Sequence, residues 1–202
     1  MPVRTAEESR REAILEAALA CFLEHGVVGT GIERLCAASG ASVGSVYHHF
    51  GGKEGLAGAV FVEAMGDYQA SFVAVLRRHP DDAKAGVRAA VREHLRWCLR
   101  RRPDRARFLL FHGDAARGAG AERLAALNRE FFASVLSWWR PHVRYGALRD
   151  LDLDLAYALW LGPAQEYCRL HLAGRATTSP SRAAPVLADG AWQALRPPPE
   201  GD

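Results

Sequence analysis

Residues 30–53 constrain the fold of this 202-residue chain more than any other segment. Two short stretches with apolar residues at helical spacing, one around Leu35 and one around Val46, are separated by the sequence Ser-Gly-Ala-Ser at residues 39–42. Glycine favours the left-handed backbone that ends helices, and serine is favoured where helices begin, so this sequence predicts a tight turn between two helices. A Gly-Gly pair at residues 51–52 ends the second stretch. The segment therefore predicts a helix-turn-helix unit.

The rest of the chain also has the periodicity of helices. Apolar residues recur at three- and four-residue spacing, as at Val87 and Val91, and alternation with a period of two is nearly absent. We therefore predict an all-α protein of about nine helices. The expected organisation is a three-helix domain in residues 1–55, a C-terminal helical domain in residues 56–196 and a disordered tail in residues 197–202.

Hydroxyl side chains mark the expected starts of the short helices. Thr30 is followed three residues later by Glu33, which is the spacing of a capping box. Ser42 directly precedes the second short stretch. We therefore predict that Thr30 and Ser42 cap the second and third helices.

Charge is distributed unevenly along the chain. Residues 1–56 carry five basic and seven acidic side chains, whereas residues 77–107 carry eleven basic and four acidic ones. Charge alone would therefore place a nucleic acid on the C-terminal part rather than on the helix-turn-helix. The helix expected at residues 81–101 carries a row of four arginines, which are Arg88, Arg92, Arg96 and Arg100. We interpret this row as a solvated helix face. The alternative is a second surface that binds DNA or an acidic partner.

Other features of the sequence exclude several classes of protein. We find no nucleophile elbow, phosphate-binding glycine loop or His-Glu-x-x-His motif, so we do not expect an enzyme. The polar N-terminus and the lack of an apolar run of 18 residues predict a cytoplasmic protein with no membrane segment. The four cysteines form no Cys-x-x-Cys pair and are expected to be reduced core residues, so neither a metal site nor a cofactor is predicted: Cys21, Cys36, Cys98 and Cys168.

The run GTGIERLCAASGASVGSVYHHFGGKEGL at residues 29–56 resembles the tetracycline-repressor (TetR) family of bacterial regulators. The specific part is the Tyr-x-His-Phe element followed by x-x-Lys-Glu. The resemblance implies that the third helix enters the major groove of double-stranded DNA. Two positions depart from the family pattern, because Gly31 and Gly52 stand where serine or threonine is frequent. The residues implied to contact DNA are Thr30, Ser42, Val43, Gly44, Ser45, Tyr47, His48 and Lys53.

The resemblance also implies that the C-terminal helices bind an unidentified small-molecule effector and form a homodimer. Aromatic residues concentrated in the C-terminal part are candidates for the pocket, with core packing as the alternative. The pocket candidates are Trp97, Phe108, Phe111, His112, Phe131, Trp138, Tyr157 and Trp160. The candidates for the dimer interface, on the last two long helices, are Leu155, Leu159, Gly162, Glu166, Leu170 and Trp192.

The function implied by the resemblance is that of a transcriptional regulator. The expected protein is a repressor that binds a near-palindromic operator as a dimer and is released by the effector. The alternative is a small-molecule-binding or scaffold dimer that has lost DNA binding, which the acidic N-terminal domain keeps open.

Overall fold

A computed structural model describes residues 6–113 and 118–198 of the chain. Within these ranges the chain forms nine α-helices and no strand, so the prediction of an all-α protein of about nine helices is confirmed. A five-residue π-helical stretch, Trp97–Arg101, continues the fifth helix. The helices are α1 (Ala6–Gly29), α2 (Ile32–Ser39), α3 (Val43–Phe50), α4 (Lys53–Leu76), α5 (Ala83–Arg96), α6 (Pro103–Phe111), α7 (Ala121–Arg144), α8 (Leu153–Leu172) and α9 (Pro180–Leu195).

The described chain divides into two compact units. The first unit comprises the residues up to Gly66 together with Asp104–Leu127, and the second comprises Asp67–Pro103 together with the residues from Asn128 onward. The predicted boundary at residue 55 stays a prediction. Of the predicted tail, residues 199–202 lie outside the described ranges.

The core of the first unit is built from one apolar face of each of its helices. Phe22 of α1, Leu35 of α2 and Val46 of α3 are at most 1% exposed and belong to one apolar cluster. Arg11 of α1 forms an ion pair of 2.5 Å with Glu63 of α4, and its guanidinium also lies 5.5 Å from the centre of the Phe50 ring. These contacts hold α3 against α1 and leave the other side of α3 exposed.

Helix α4 is the one helix in the described ranges that is long and apolar enough to cross a membrane by length and composition. Leu56, Phe61 and Phe72 of this helix are core residues, at most 3% exposed. A core helix of a soluble protein has the same length and composition, so α4 carries no membrane assignment.

In the second unit, α5 packs against both α8 and α9. Gly86 and Trp138 come into close contact where α5 meets α7. The Trp138 ring in turn stacks on Trp160 of α8 with ring centroids 5.7 Å apart, and the Trp160 indole N–H donates to the Val87 carbonyl at 3.1 Å. Aromatic rings therefore connect three helices of this unit.

One predicted cap differs from the structure. The residue that caps α2 is Gly31, which provides no side-chain hydrogen bond, so the capping box of Thr30 and Glu33 is wrong. The Thr30 side chain is 1% exposed, and its hydroxyl donates to the Gly26 carbonyl at 2.6 Å. The Thr30 hydroxyl is therefore bonded to a carbonyl group near the end of α1 and does not cap α2. The spacing of Thr30 and Glu33 in the sequence does not indicate this partner.

Candidate DNA-binding surface

A tight turn between α2 and α3 sets the angle between these helices. Gly40 ends α2 in the left-handed conformation, with φ 67°. Ser42 then caps α3 as the sequence predicts, because its hydroxyl accepts a hydrogen bond from the Ser45 backbone N–H at 3.1 Å. The cap satisfies one of the free N–H groups at the start of α3 and leaves the others accessible.

One side of α3 is exposed. Val43 is 44% exposed and Tyr47 is 56% exposed, and Gly44 and His48 are exposed beside them. On the opposite side Val46 is fully buried. Val46 therefore anchors α3 in the core, while Val43 and Tyr47 remain exposed. A small residue at position 44 leaves the backbone of the first turn open to a close approach, which a helix in the DNA major groove requires.

Two glycines fix the passage from α3 to α4. A Cβ added to Gly55 would lie 1.7 Å from the Phe50 carbonyl oxygen, so only glycine allows the two helix ends to approach this closely. A Cβ added to Gly52 would lie 3.3 Å from Cε1 of Tyr47, and Gly52 has a positive φ of 120°. The Tyr47 ring therefore lies against a glycine turn, which limits its position without burying it.

The family resemblance implies phosphate contacts by Thr30 and Lys53. For Thr30 this prediction is wrong, because its side chain is buried and its hydroxyl donates to the Gly26 carbonyl. The Lys53 ammonium donates to the Val28 carbonyl at 3.3 Å and lies 4.0 Å from a Glu54 carboxylate oxygen, with 23% of its side chain exposed. Its charge is thus held at the start of α4, where the helix dipole also favours an anion.

An open groove of about 550 Å³ extends from α3 to the beginning of α1. Arg10 lines this groove, although the sequence analysis did not select it because it lies more than 30 positions before α3. Ligating atoms of Glu7, His48 and His49 lie within 4.8 Å of one another. Arg10 adds a positive charge beside the exposed end of α3. The groove is lined by Glu7, Arg10, Gly44, Ser45, His48 and His49.

Five of the eight predicted effector-pocket residues belong to the second unit. The indole N–H of Trp97 donates to a carboxylate oxygen of Asp67 at 3.1 Å, and that of Trp138 donates to the His79 carbonyl at 2.7 Å. Buried indole rings whose N–H groups are hydrogen-bonded are typical of core residues. Tyr157 differs, because it is 47% exposed. The five residues are Trp97, Phe131, Trp138, Tyr157 and Trp160.

The other three pocket candidates belong to the first unit. Phe108 is fully buried and stacks on Phe22, with ring centroids 5.9 Å apart. His112 is half-buried, and its ring stacks on the ring of Phe108 with ring centroids 6.1 Å apart. Phe111 is 42% exposed. The structure therefore does not bring all eight candidates into one cluster.

The predicted dimer residues lie on α8 and α9. Leu155 is 53% exposed and Leu159 is 36% exposed. Gly162, Leu170 and Trp192 are half-buried. The structure adds two apolar residues that the sequence analysis did not select, since Leu153 of α8 is 40% exposed and Val186 of α9 is 69% exposed.

Glu166, the remaining dimer candidate, is exposed and forms an ion pair with Arg169 at 2.6 Å. The hydrogen bond from Arg169 lowers the pKa of the Glu166 carboxyl. Glu166 therefore remains charged at the surface of α8.

The arginine face of α5 lines an open groove of about 430 Å³. Arg88 forms an ion pair of 2.7 Å with Asp189. Glu93, which is 3% exposed, pairs with Arg96 and, at 2.9 Å, with Arg101. Arg88 and Arg96, two of the four arginines in the row, therefore have carboxylate partners.

Comparisons with known proteins agree with this geometry. The family model described as bacterial regulatory proteins of the tetR family matches residues 14–60, which include the whole of α2 and α3. The HTH-type transcriptional repressor AcnR of Corynebacterium efficiens is 47% identical over 58 residues, which are 28% of this chain and 31% of AcnR. The chain spans between about a quarter and a third of the length of the first curated relatives that it matches.

Solved structures resemble the whole chain. A TetR family transcription regulator from Marinobacter aquaeolei VT8 has a TM-score of 0.75 at 20% identity, covering 96% of this chain and 98% of that protein. The transcriptional regulator FadR from Bacillus subtilis was solved in complex with stearoyl-CoA. It has a TM-score of 0.73 at 14% identity, and the match covers 92% of this chain and 99% of FadR. At these identities the likeness shows the fold. The chain therefore has the fold of TetR family transcription regulators, and its helix-turn-helix segment matches the model of that family.

Proposed function

We propose that the chain is a transcriptional repressor that reads its operator with the exposed end of α3. The observation that carries the proposal is the arrangement of α3. Its N-terminus is capped by Ser42, its outer face presents Val43, Gly44 and Tyr47, and its inner face is fixed by Val46. This is the arrangement that a recognition helix needs, because base edges are reached from an exposed N-terminal half on a rigid support.

Different residues of the surface have different tasks in this proposal. Tyr47 and His48 contact phosphates and base edges, and Ser45 and Val43 line the groove. Lys53 holds a phosphate through its charge at the N-terminus of α4. Arg10 supplies a second cation from α1, which partly compensates for the acidic balance of the N-terminal residues.

A homodimer is the second part of the proposal. It is supported by the exposed leucines of α8, since apolar side chains exposed on one helix are typical of an interface. A two-fold dimer places two recognition helices about one DNA turn apart, or a multiple of it, so the operator is a near-palindrome.

The third part is release by a small molecule bound by the C-terminal helices in the cytoplasm. Support comes from FadR, a relative in fold that was solved with stearoyl-CoA, and from the concentration of aromatic rings in the second unit. Such a ligand lowers DNA affinity only as far as it prefers the conformation that does not bind DNA.

Selection of bound fragments from sheared host DNA tests the proposal. The wild-type protein is compared with a Tyr47→Ala, His48→Ala double variant at a salt concentration of about 0.15 M, near physiological ionic strength. Tyr145→Ala is the matched control, because Tyr145 is an even more exposed tyrosine, at 81%, that lies at the end of α7.

The expected result is one near-palindromic sequence, enriched by the wild type and by Tyr145→Ala and lost in the double variant. Equal enrichment by the double variant would show that DNA is bound elsewhere on the protein. No enrichment by any of the three proteins, with folding intact, would favour the alternative of a ligand-binding dimer that has lost DNA binding.

A further inference from the structure

A buried group of metal-ligating side chains in the second unit has no part in the proposed DNA-binding surface. It consists of His94, Cys98 and Cys168, whose ligating atoms lie within 4.8 Å of one another. The three residues are 6%, 4% and 0% exposed, respectively. His94 and Cys98 lie one helical turn apart on α5 and its π-helical continuation, and Cys168 reaches them from α8.

The imidazole of His94 is already oriented for ligation. Its Nδ1 lies 2.8 Å from the Tyr68 hydroxyl, and its Nε2 lies 3.8 Å from Sγ of Cys98. When Nδ1 carries the proton and donates it to the Tyr68 oxygen, the lone pair of Nε2 points towards the two sulfurs. Histidines that bind metals are usually held through their other ring nitrogen in this way.

The donor set selects the kind of ion. Two sulfurs and one imidazole nitrogen are soft donors, which favour Cu(I) and Zn²⁺ over oxygen-seeking ions such as Mg²⁺ or Ca²⁺. Structural zinc sites almost always have four ligands, whereas the described residues supply three here. A three-donor site shielded from water suits Cu(I), which is stable with three ligands.

We propose that His94, Cys98 and Cys168 form a buried three-coordinate site for Cu(I). Tyr68 is a positioning residue that acts through His94 and does not touch the ion. None of the ligands belongs to the residues proposed to contact DNA, so the site is tested by metal binding alone, whether or not the chain binds an operator.

The test is a titration of the full-length protein with Cu(I) under anaerobic conditions, in competition with a coloured Cu(I) chelator. A Cys98→Ala, Cys168→Ala variant is compared with a Cys21→Ala, Cys36→Ala variant, which removes the two cysteines of the first unit. Wild type and the Cys21/Cys36 control are expected to bind one Cu(I) with equal affinity. The Cys98/Cys168 variant is expected to bind about 100-fold more weakly or worse, since it loses two of the three ligands. Equal affinity in all three proteins would overturn the proposal.

Two further measurements do not depend on how well the cysteine variants fold. X-ray absorption of the copper-loaded wild type is expected to show two sulfur ligands and one nitrogen ligand, and a shell without two sulfurs would refute the assignment. Tyr68→Phe is expected to keep one Cu(I) per chain but to lower its affinity by about 10-fold or more, because the imidazole loses its hydrogen bond. Binding of Co²⁺ in a four-coordinate geometry with no affinity for Cu(I) would contradict the choice of ion.

Discussion

Replacing Gly86 by alanine is expected to destabilise the second unit even though alanine is the better helix former. The added Cβ would lie 2.3 Å from Cζ2 and 3.1 Å from Cη2 of Trp138. The Trp138 ring has little freedom to move away, because its N–H donates to the His79 carbonyl at 2.7 Å and its ring packs on His142 at 4.4 Å. The alanine therefore forces either the indole or α5 itself to shift.

The expected size follows from two opposing effects. Alanine in place of glycine inside a helix stabilises by about 0.8–1 kcal/mol. Overpacking of a dense core destabilises by about 1–3 kcal/mol, and an approach as close as 2.3 Å belongs at the upper end of that range. We expect Gly86→Ala to lower the free energy of unfolding by about 2 kcal/mol. For a chain of this size that corresponds to a fall in Tm of roughly 4–8 °C.

Urea unfolding followed by tryptophan fluorescence measures this change, because all five tryptophans belong to the second unit. Gly190→Ala is the matched control in α9. A Cβ added there would meet no atom of the described chain within 4 Å, and position 190 lies on the side of α9 opposite Trp192. The control is expected to gain up to about 1 kcal/mol. Equal stabilisation of both variants would refute the reasoning that Trp138 is held in place.

Three other changes test the structure at separate points. Ser42→Ala is expected to lower the free energy of unfolding by about 1 kcal/mol, because the N–H of Ser45 loses its acceptor, and urea unfolding followed by circular dichroism measures it. Gly55→Ala is expected to destabilise by about 3 kcal/mol or more in the same assay, and an unchanged midpoint would contradict the close approach of Phe50. Burial lowers the pKa of His142, so its contribution to stability is present above the ordinary pKa of about 6.5 and declines as the pH falls. His142→Leu should therefore flatten the fall in stability between about pH 7 and pH 5, and an unchanged slope would argue against a buried neutral imidazole.

The helices around the candidate surface were predictable because local signals define them. Glycines at positions 40 and 51 end α2 and α3 with positive φ, and Ser42 caps α3, as their positions in the sequence indicate. Thr30 shows the limit of such signals. Its spacing to Glu33 is that of a capping box, but its hydroxyl bonds to a carbonyl of the preceding segment instead, and only the packed structure determines that choice.

Features that depend on distant segments were not predictable from one sequence. Arg10 lies beside α3 because α1 packs there, and Cys168 meets Cys98 because α8 packs on α5. The spacing of His94 and Cys98 by four residues was a visible signal for a shared helix face, but it did not indicate the third ligand. The aromatic content of the C-terminal part likewise did not separate rings that belong to a core from rings that line a pocket.

The ratio of specific to nonspecific DNA affinity tests the central claim most directly. Binding of the selected near-palindrome and of a scrambled duplex of the same composition is measured by fluorescence anisotropy at about 0.15 M salt, near physiological ionic strength. The proposed recognition by α3 predicts that the wild type prefers the palindrome by about 1,000-fold or more, and that Tyr47→Ala with His48→Ala removes most of this preference. Equal affinity of the wild type for both duplexes would contradict the claim that this chain is a sequence-specific regulator.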